Sequence, residues 1–189
     1  MSLLRWLAKQ LFTLLGWQIV GDLPSDITKA VVVMAPHTSQ WDLFYVLMST
    51  FIKQIPAKFA IKKEAMFFPI GPILRCVGAV PIHRGGLMQQ DKPLSQVGLM
   101  VDMLAKYDHL LLMIAPEGTR QYAPQWRTGF YYTALQAQVP LVLSYLDYAR
   151  KEAGIGPIFY PTGYIEEDLK KIQAFYRDKS GKYPDQGVR

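Results

Sequence analysis

Apolar positions along this chain follow two different periods. Over residues 3–15 the spacing is helical: Leu3, Leu4, Leu7, Leu11, Leu14 and Leu15 fall on one face, with Arg5, Lys9 and Thr13 opposite. Trp6 and Trp17 fall toward the margins of that face, where amphipathic rings favour a headgroup boundary. Such a helix can cover the protein's own core or lie on a membrane through its leucines and basic flank. Further on, short continuous apolar runs at 31–35, 57–61, 78–82, 109–114 and 141–146 predict buried strands. Helical spacing at 41–53, 94–106 and 128–138 lies between or beside them. This alternation predicts one α/β domain of three layers, with a largely parallel central sheet flanked by helices. The division expected is an amphipathic N-terminal helix over residues 1–17 and a domain over 18–189. The stretch 165–182 reads as a polar, basic final helix that frays.

Composition narrows the class. In 189 residues, half are hydrophobic and 19% charged, enough for a sizeable core. The formal charge of +6 favours an anionic partner: nucleic acid, an anionic membrane or a phosphorylated ligand. No zinc-finger spacing, aromatic RNP box or long basic run occurs, so nucleic acid is not expected. No apolar run reaches the roughly 18 residues of a membrane span. Arg5 and Lys9 interrupt the N-terminal apolar region and no small-residue cleavage site follows, so no secretory signal is expected. The single cysteine, Cys76, excludes an intrachain disulfide and suits a reducing compartment.

Chemistry collects just beyond the predicted strands. After 31–35 come His37 and Asp42, an imidazole and a carboxylate five positions apart. Pro36 ends the ladder, and Ser39 with Asp42 approximates a helix capping box. Asp42 can therefore cap a helix and also reach back to His37, the pairing that takes a proton from an alcohol near neutral pH. After 109–114 come Glu117, Gly118, Thr119 and Arg120, which by themselves also suit an ordinary turn punctuated by Pro116 and Gly118. Lys62 and Lys63 follow another strand and Arg84 a further one. Any one of these cations fits a solvated face; a cation at several strand ends fits an anion clamp better. Loops beyond the strand ends of such a sheet converge on one crevice, so the clusters can share a site.

Taken in order, these residues resemble the motifs of the lysophosphatidate acyltransferase family, the 1-acyl-glycerol-3-phosphate acyltransferases. The family's His-x4-Asp is matched by His37 and Asp42, and its Gly-x-x-x-Ile-x-Arg by Gly78 to Arg84. Its Phe-Pro-Glu-Gly-Thr-Arg-Ser is matched from Pro116 to Arg120, with Ala115 and Gln121 departing at the edges. Val139, Pro140 and Leu141 approximate Val-Pro-Ile-x-Pro, with Leu143 in place of the second proline. Lys62 to Gly71 resembles the Lys-Lys-Glu-Leu segment, with Ala65 for leucine, and Arg127 with Gly129 echoes a basic residue and glycine before a helix.

The resemblance implies a glycerolipid-acyltransferase-like fold. It also implies transfer of a fatty acyl chain from acyl-CoA or acyl carrier protein to the free hydroxyl of a lysophospholipid, with lysophosphatidate the expected acceptor. His37 and Asp42 would be catalytic. Arg84 and Arg120 would be the leading phosphate ligands, with Lys62, Lys63 and Arg127 behind them; Glu117, Gly118 and Thr119 would hold the acceptor or its loop. No bound cofactor or metal is expected: the histidines at 37, 83 and 109 lack zinc-ligand spacing. A covalent acyl-enzyme is not expected either, since Cys76 lies outside the motifs and no Gly-x-Ser-x-Gly elbow occurs. The expected location is cytoplasmic, peripheral to the inner face of the membrane. Two alternatives remain: the same chemistry on another lipid hydroxyl, such as a lyso-aminolipid, and a non-catalytic peripheral lipid-binding module.

Overall fold

The computed structural model describes residues 2–55, 57–62, 78–82, 88–89, 92–93 and 95–189. Its elements run α1 (Leu3–Leu14), β1 (Gln18–Val20), β2 (Lys29–Met34), α2 (Trp41–Lys53), β3 (Ala57–Lys62) and β4 (Ala79–Ile82). There follow a short antiparallel pair, β5 (Met88–Gln89) with β6 (Lys92–Pro93), then α3 (Gln96–Lys106), β7 (Leu110–Ile114) and α4 (Gly129–Ala137). β8 (Leu141–Asp147), β9 (Glu152–Phe159) and α5 (Ile165–Tyr176) follow, and a single 3-10 turn (Pro184–Gln186) comes last. Seven strands form one sheet in the order β1-β9-β8-β2-β7-β3-β4. Every pairing is parallel except β8 with β9, so the largely parallel sheet expected from the sequence is present with two strands reversed at one side. Those two strands, β1 and β9, were not expected.

Alternation along β2 separates the layers. Val31 and Val33 face Phe130, Tyr131, Ile172 and Tyr176, the apolar sides of α4 and α5. Ala30 and Val32, one residue out of phase, belong to the opposite face, where α1 and α2 cover the sheet. This makes the three layers predicted.

The final helix differs from expectation. Ile172 and Tyr176 are fully buried, and the Tyr176 hydroxyl donates to the Val33 carbonyl at 2.8 Å. The first turn of α5 is acidic, with Glu166, Glu167 and Asp168, which complements the positive end of the helix. Reading 165–182 as polar, basic and frayed weighed its charges and missed this buried stripe. The residues after α5 are tied down as well: Tyr148 N–H donates to Ser180 O at 2.8 Å, and Tyr183 N–H to Thr38 Oγ1 at 3.3 Å.

The N-terminal helix turns its leucines outward. Leu3, Leu4 and Leu14 are 71%, 70% and 84% exposed, while Phe12 is 2% exposed and enters the core. Gly16 (φ +80°) ends α1 in a left-handed residue; Gly16 N–H reaches Thr13 O and Trp17 N–H reaches Phe12 O. That is a Schellman closure, and its usual apolar contact is Phe12 against Trp17, with centroids 6.0 Å apart. Trp17 is therefore core, 4% exposed, and not the headgroup-level residue expected. Burying two such rings contributes roughly 2–3 kcal/mol each, enough to root α1 on the domain with its leucines outside.

Candidate active site

β2 and β7 are parallel neighbours, with Val33 paired to Ile114. His37 lies four residues beyond Val33 and Glu117 three beyond Ile114, so the two loops leave the sheet side by side. Glu117 Oε1 accepts the backbone N–H of His37 at 3.1 Å, joining motifs 80 positions apart. Beneath them, Val33 O also accepts the Ser144 hydroxyl at 3.2 Å, so three elements converge on the end of β2.

Asp42 stands in the first turn of α2 and is 2% exposed. Its Oδ2 faces His37 Nδ1 at 3.0 Å and also accepts the N–H groups of Thr38 (3.0 Å) and Ser39 (2.9 Å). The expected capping box is half formed: Asp42 takes the Ser39 N–H, whereas Ser39 Oγ accepts from Trp41 N–H at 3.2 Å. Oδ1 accepts the Tyr148 hydroxyl at 2.7 Å. The His37 side chain is 30% exposed, in contrast to its buried partner. With Nδ1 engaged, the ring's Nε2 is left for an outside group, and it has no hydrogen-bond partner among the described residues. The arrangement can take a proton at Nε2 and stabilise the imidazolium through Asp42.

Glu117 is 5% exposed, and its Oε2 is buried without a partner among the described residues. Burial pushes its carboxyl up to about 7, against the lowering effect of the His37 amide. The loop is closed by Gly118 N–H to Ala115 O at 3.2 Å and Arg127 N–H to Pro116 O at 2.8 Å. Gly118 has φ +64°, and a Cβ there would lie 2.5 Å from Arg127 Nε. Glycine thus allows the turn and lets the Arg127 side chain lie across it. Thr119 accepts the Gln121 N–H at 3.2 Å. Arg120 is exposed on the same loop and forms no ion pair among the described residues.

The structure therefore brings together His37, Asp42 and Glu117, and lays Arg127 against Gly118. Lys62 ends β3, on the same side of the sheet, but its side chain lies outside the described residues. Lys63 and Arg84 lie outside them altogether. Two contributors were missed, Tyr148 and Tyr176. Tyr148 is the first residue past β8, so the strand-end rule applied elsewhere would have found it. Nothing in the sequence marks Tyr176 as a support for β2.

Comparisons with known proteins bear on the family and the fold. Residues 19–144, most of the chain, match the acyltransferase family. Among solved structures, the fold is similar to that of the 1-acyl-sn-glycerophosphate (LPA) acyltransferase PlsC from Thermotoga maritima. The TM-score is 0.61 at 18% identity, over 90% of this chain and 74% of that one. With a match that spans both the His37 loop and the Glu117 loop, this chain belongs to the acyltransferase family.

Proposed function

We propose that the protein transfers a fatty acyl chain from acyl-CoA or acyl carrier protein to the hydroxyl of lysophosphatidate, giving phosphatidate. The observation that carries this reading is the His37–Asp42 pair at 3.0 Å, set at a strand end with Nε2 unpartnered among the described residues and tied to the Glu117 loop. His37 Nε2 takes the acceptor's hydroxyl proton as its oxygen attacks the thioester carbonyl. The tetrahedral adduct then expels the thiolate, breaking the C–S bond, and the imidazolium returns the proton to sulfur. A free thiol has a pKa near ~8.5, so the sulfur leaves readily and activating the alcohol is the harder task. General-base catalysis contributes typically ~10²–10⁴-fold, with positioning supplying much of the rest.

Arg120 and Arg127 flank the loop that holds His37, and guanidinium groups suit a phosphate monoester through paired hydrogen bonds. Arg84, Lys62 and Lys63 would add charge at the neighbouring strand ends. Exposed Leu3, Leu4, Leu7, Leu11 and Leu14 on α1 support peripheral attachment to an anionic membrane surface, with the outer face of α1 as the interfacial contact and Phe12 and Trp17 rooting it in the acyltransferase domain. Among the described residues no helix is long and apolar enough to cross a membrane.

A matrix of acyl-CoA and acyl carrier protein donors against lysophosphatidate, lyso-aminolipid and monoacylglycerol acceptors, read by lipid mass spectrometry, tests the reading. Phosphatidate should be the fastest product. A faster zwitterionic product would move the acceptor to the lyso-aminolipid class, and no product from any pair would leave a lipid-binding module.

A further inference from the structure

Tyr148 stands outside every motif described above, yet it touches the carboxylate on which the proposed base depends. Asp42 Oδ2 is shared by three donors, His37 Nδ1 and the amides of Thr38 and Ser39. At Oδ1 the Tyr148 hydroxyl, 2.7 Å away, is the one partner among the described residues. The terminal torsion of an aspartate is broad, so a carboxylate gripped at one oxygen can still swing about its Cβ–Cγ bond. A second grip at the other oxygen fixes the plane of the group.

The hydroxyl is well placed to provide that grip. The Tyr148 ring is met edge-on by Trp17 (5.0 Å, 88°) and by Tyr45 (5.8 Å, 90°), and those two rings stack on each other at 4.1 Å. Its backbone N–H is held by Ser180 O. Burial, and then the Asp42 carboxylate, push the hydroxyl well above the ordinary tyrosine range, so it stays a donor. The ring is clamped at the root of α1 and the oxygen points at the dyad.

We infer that Tyr148 is a positioning residue of the acyl-transfer site: by fixing the plane of the Asp42 carboxylate it keeps Oδ2 on His37 Nδ1 and so aims Nε2 at the acceptor hydroxyl. This rests on the reading of His37 as the base. No proton passes through Tyr148. Its part is to stop Asp42 turning away while the imidazolium charge develops.

The test is Tyr148→Phe in the full chain, which keeps the ring among Trp17 and Tyr45 and removes only the donor. With palmitoyl-CoA and oleoyl-lysophosphatidate, kcat should fall roughly tenfold or more while KM for both substrates stays within about twofold. In parallel, ¹⁵N NMR of histidine-labelled protein, which needs no substrate, should show His37 as one Nδ1–H tautomer in the wild type and a mixture in the variant. A wild-type tautomer and kcat in Tyr148→Phe, beside an inactive His37→Ala, would overturn the inference and leave the base reading standing. A His37→Ala protein with wild-type kcat would remove the base itself. Losses confined to KM or thermal stability, with the tautomer unchanged, would reduce Tyr148 to a packing residue.

Discussion

Glu117 Oε1 accepts the backbone N–H of His37 at 3.1 Å, so the acidic loop after β7 holds the position of the histidine loop after β2. The carboxyl that makes this bond is buried, its second oxygen has no partner among the described residues, and burial raises it to about 7. A proton on Oε2 relieves the cost of a buried charge while Oε1 keeps the bond to His37.

That raised value predicts how stability depends on pH. In the unfolded chain Glu117 loses its proton near 4.5, but in the folded protein it keeps it to about 7. Between those values the folded state binds more protons, so the contribution of this group is full below pH 4.5 and is lost as pH rises through 7. The loss amounts to about 3 kcal/mol. Glutamine cannot ionise, so the stability of Glu117→Gln relative to wild type should climb as denaturant melts move from pH 4.5 to 8. A difference that stays constant with pH would refute the assignment.

The dyad predicts two distinguishable failures. His37→Ala should abolish turnover at nearly unchanged stability, because the side chain is partly exposed. Asp42→Asn should lose activity and stability together: its oxygens serve the Thr38 and Ser39 amides and the Tyr148 hydroxyl, and an NH₂ group facing the amides leaves buried donors unpaired, while one facing Tyr148 removes the acceptor for that O–H. The cost should be about 1–3 kcal/mol. Melting curves beside kcat separate the two, and a folded His37→Ala enzyme at near-wild-type rate would end the base assignment.

How much of this was legible in the sequence varies from element to element. β2 and β7 were readable because strands buried on both faces are continuous apolar runs, and the strand-end rule then led to His37, Asp42 and Glu117. β9 was not, because its run is broken by Gly154, Gly156 and Pro157. Those glycines are required by packing: a Cβ at Gly154 would lie 2.1 Å from the Tyr145 ring, and one at Gly156 2.3 Å from Phe175. Helical periodicity found α1 but not its orientation, which depends on Phe12 and Trp17 meeting Tyr45 and Tyr148, partners distant in sequence. Tyr176 escaped notice for the same reason, since its partner, Val33 O, lies 143 positions away.

The outward leucines of α1 predict separable binding and folding effects. Replacing Leu4, Leu11 and Leu14 together by Gln should weaken binding to phosphatidylglycerol vesicles roughly tenfold or more without lowering the melting temperature, since all three are exposed. Phe12→Ala should do the reverse, costing about 3–5 kcal/mol of stability, because its ring is buried against Trp17 and Tyr45. Sedimentation with vesicles and thermal melting measure the two. Undiminished vesicle binding by the triple variant would remove α1 as the membrane contact.

The loop after β7 predicts how acceptor charge is read. Arg127 lies across Gly118, and Arg120 is exposed on the same turn, in the loop whose Glu117 holds His37. Arg120→Ala and Arg127→Ala should each raise KM for lysophosphatidate about tenfold, the worth of one charge-assisted contact, and change KM for an uncharged monoacylglycerol much less. Lysine at either position should restore part of the loss, keeping charge without the planar fork. Gly118→Ala should resemble Arg127→Ala: its Cβ would displace the Arg127 side chain, and φ +64° strains any residue but glycine by about 1 kcal/mol. Glu117 still reaches His37 in that variant, so kcat should fall less than kcat/KM. Equal losses on charged and uncharged acceptors would mean that these arginines serve the donor or the fold, and a Gly118→Ala enzyme with unchanged lysophosphatidate KM would separate the loop's shape from phosphate recognition.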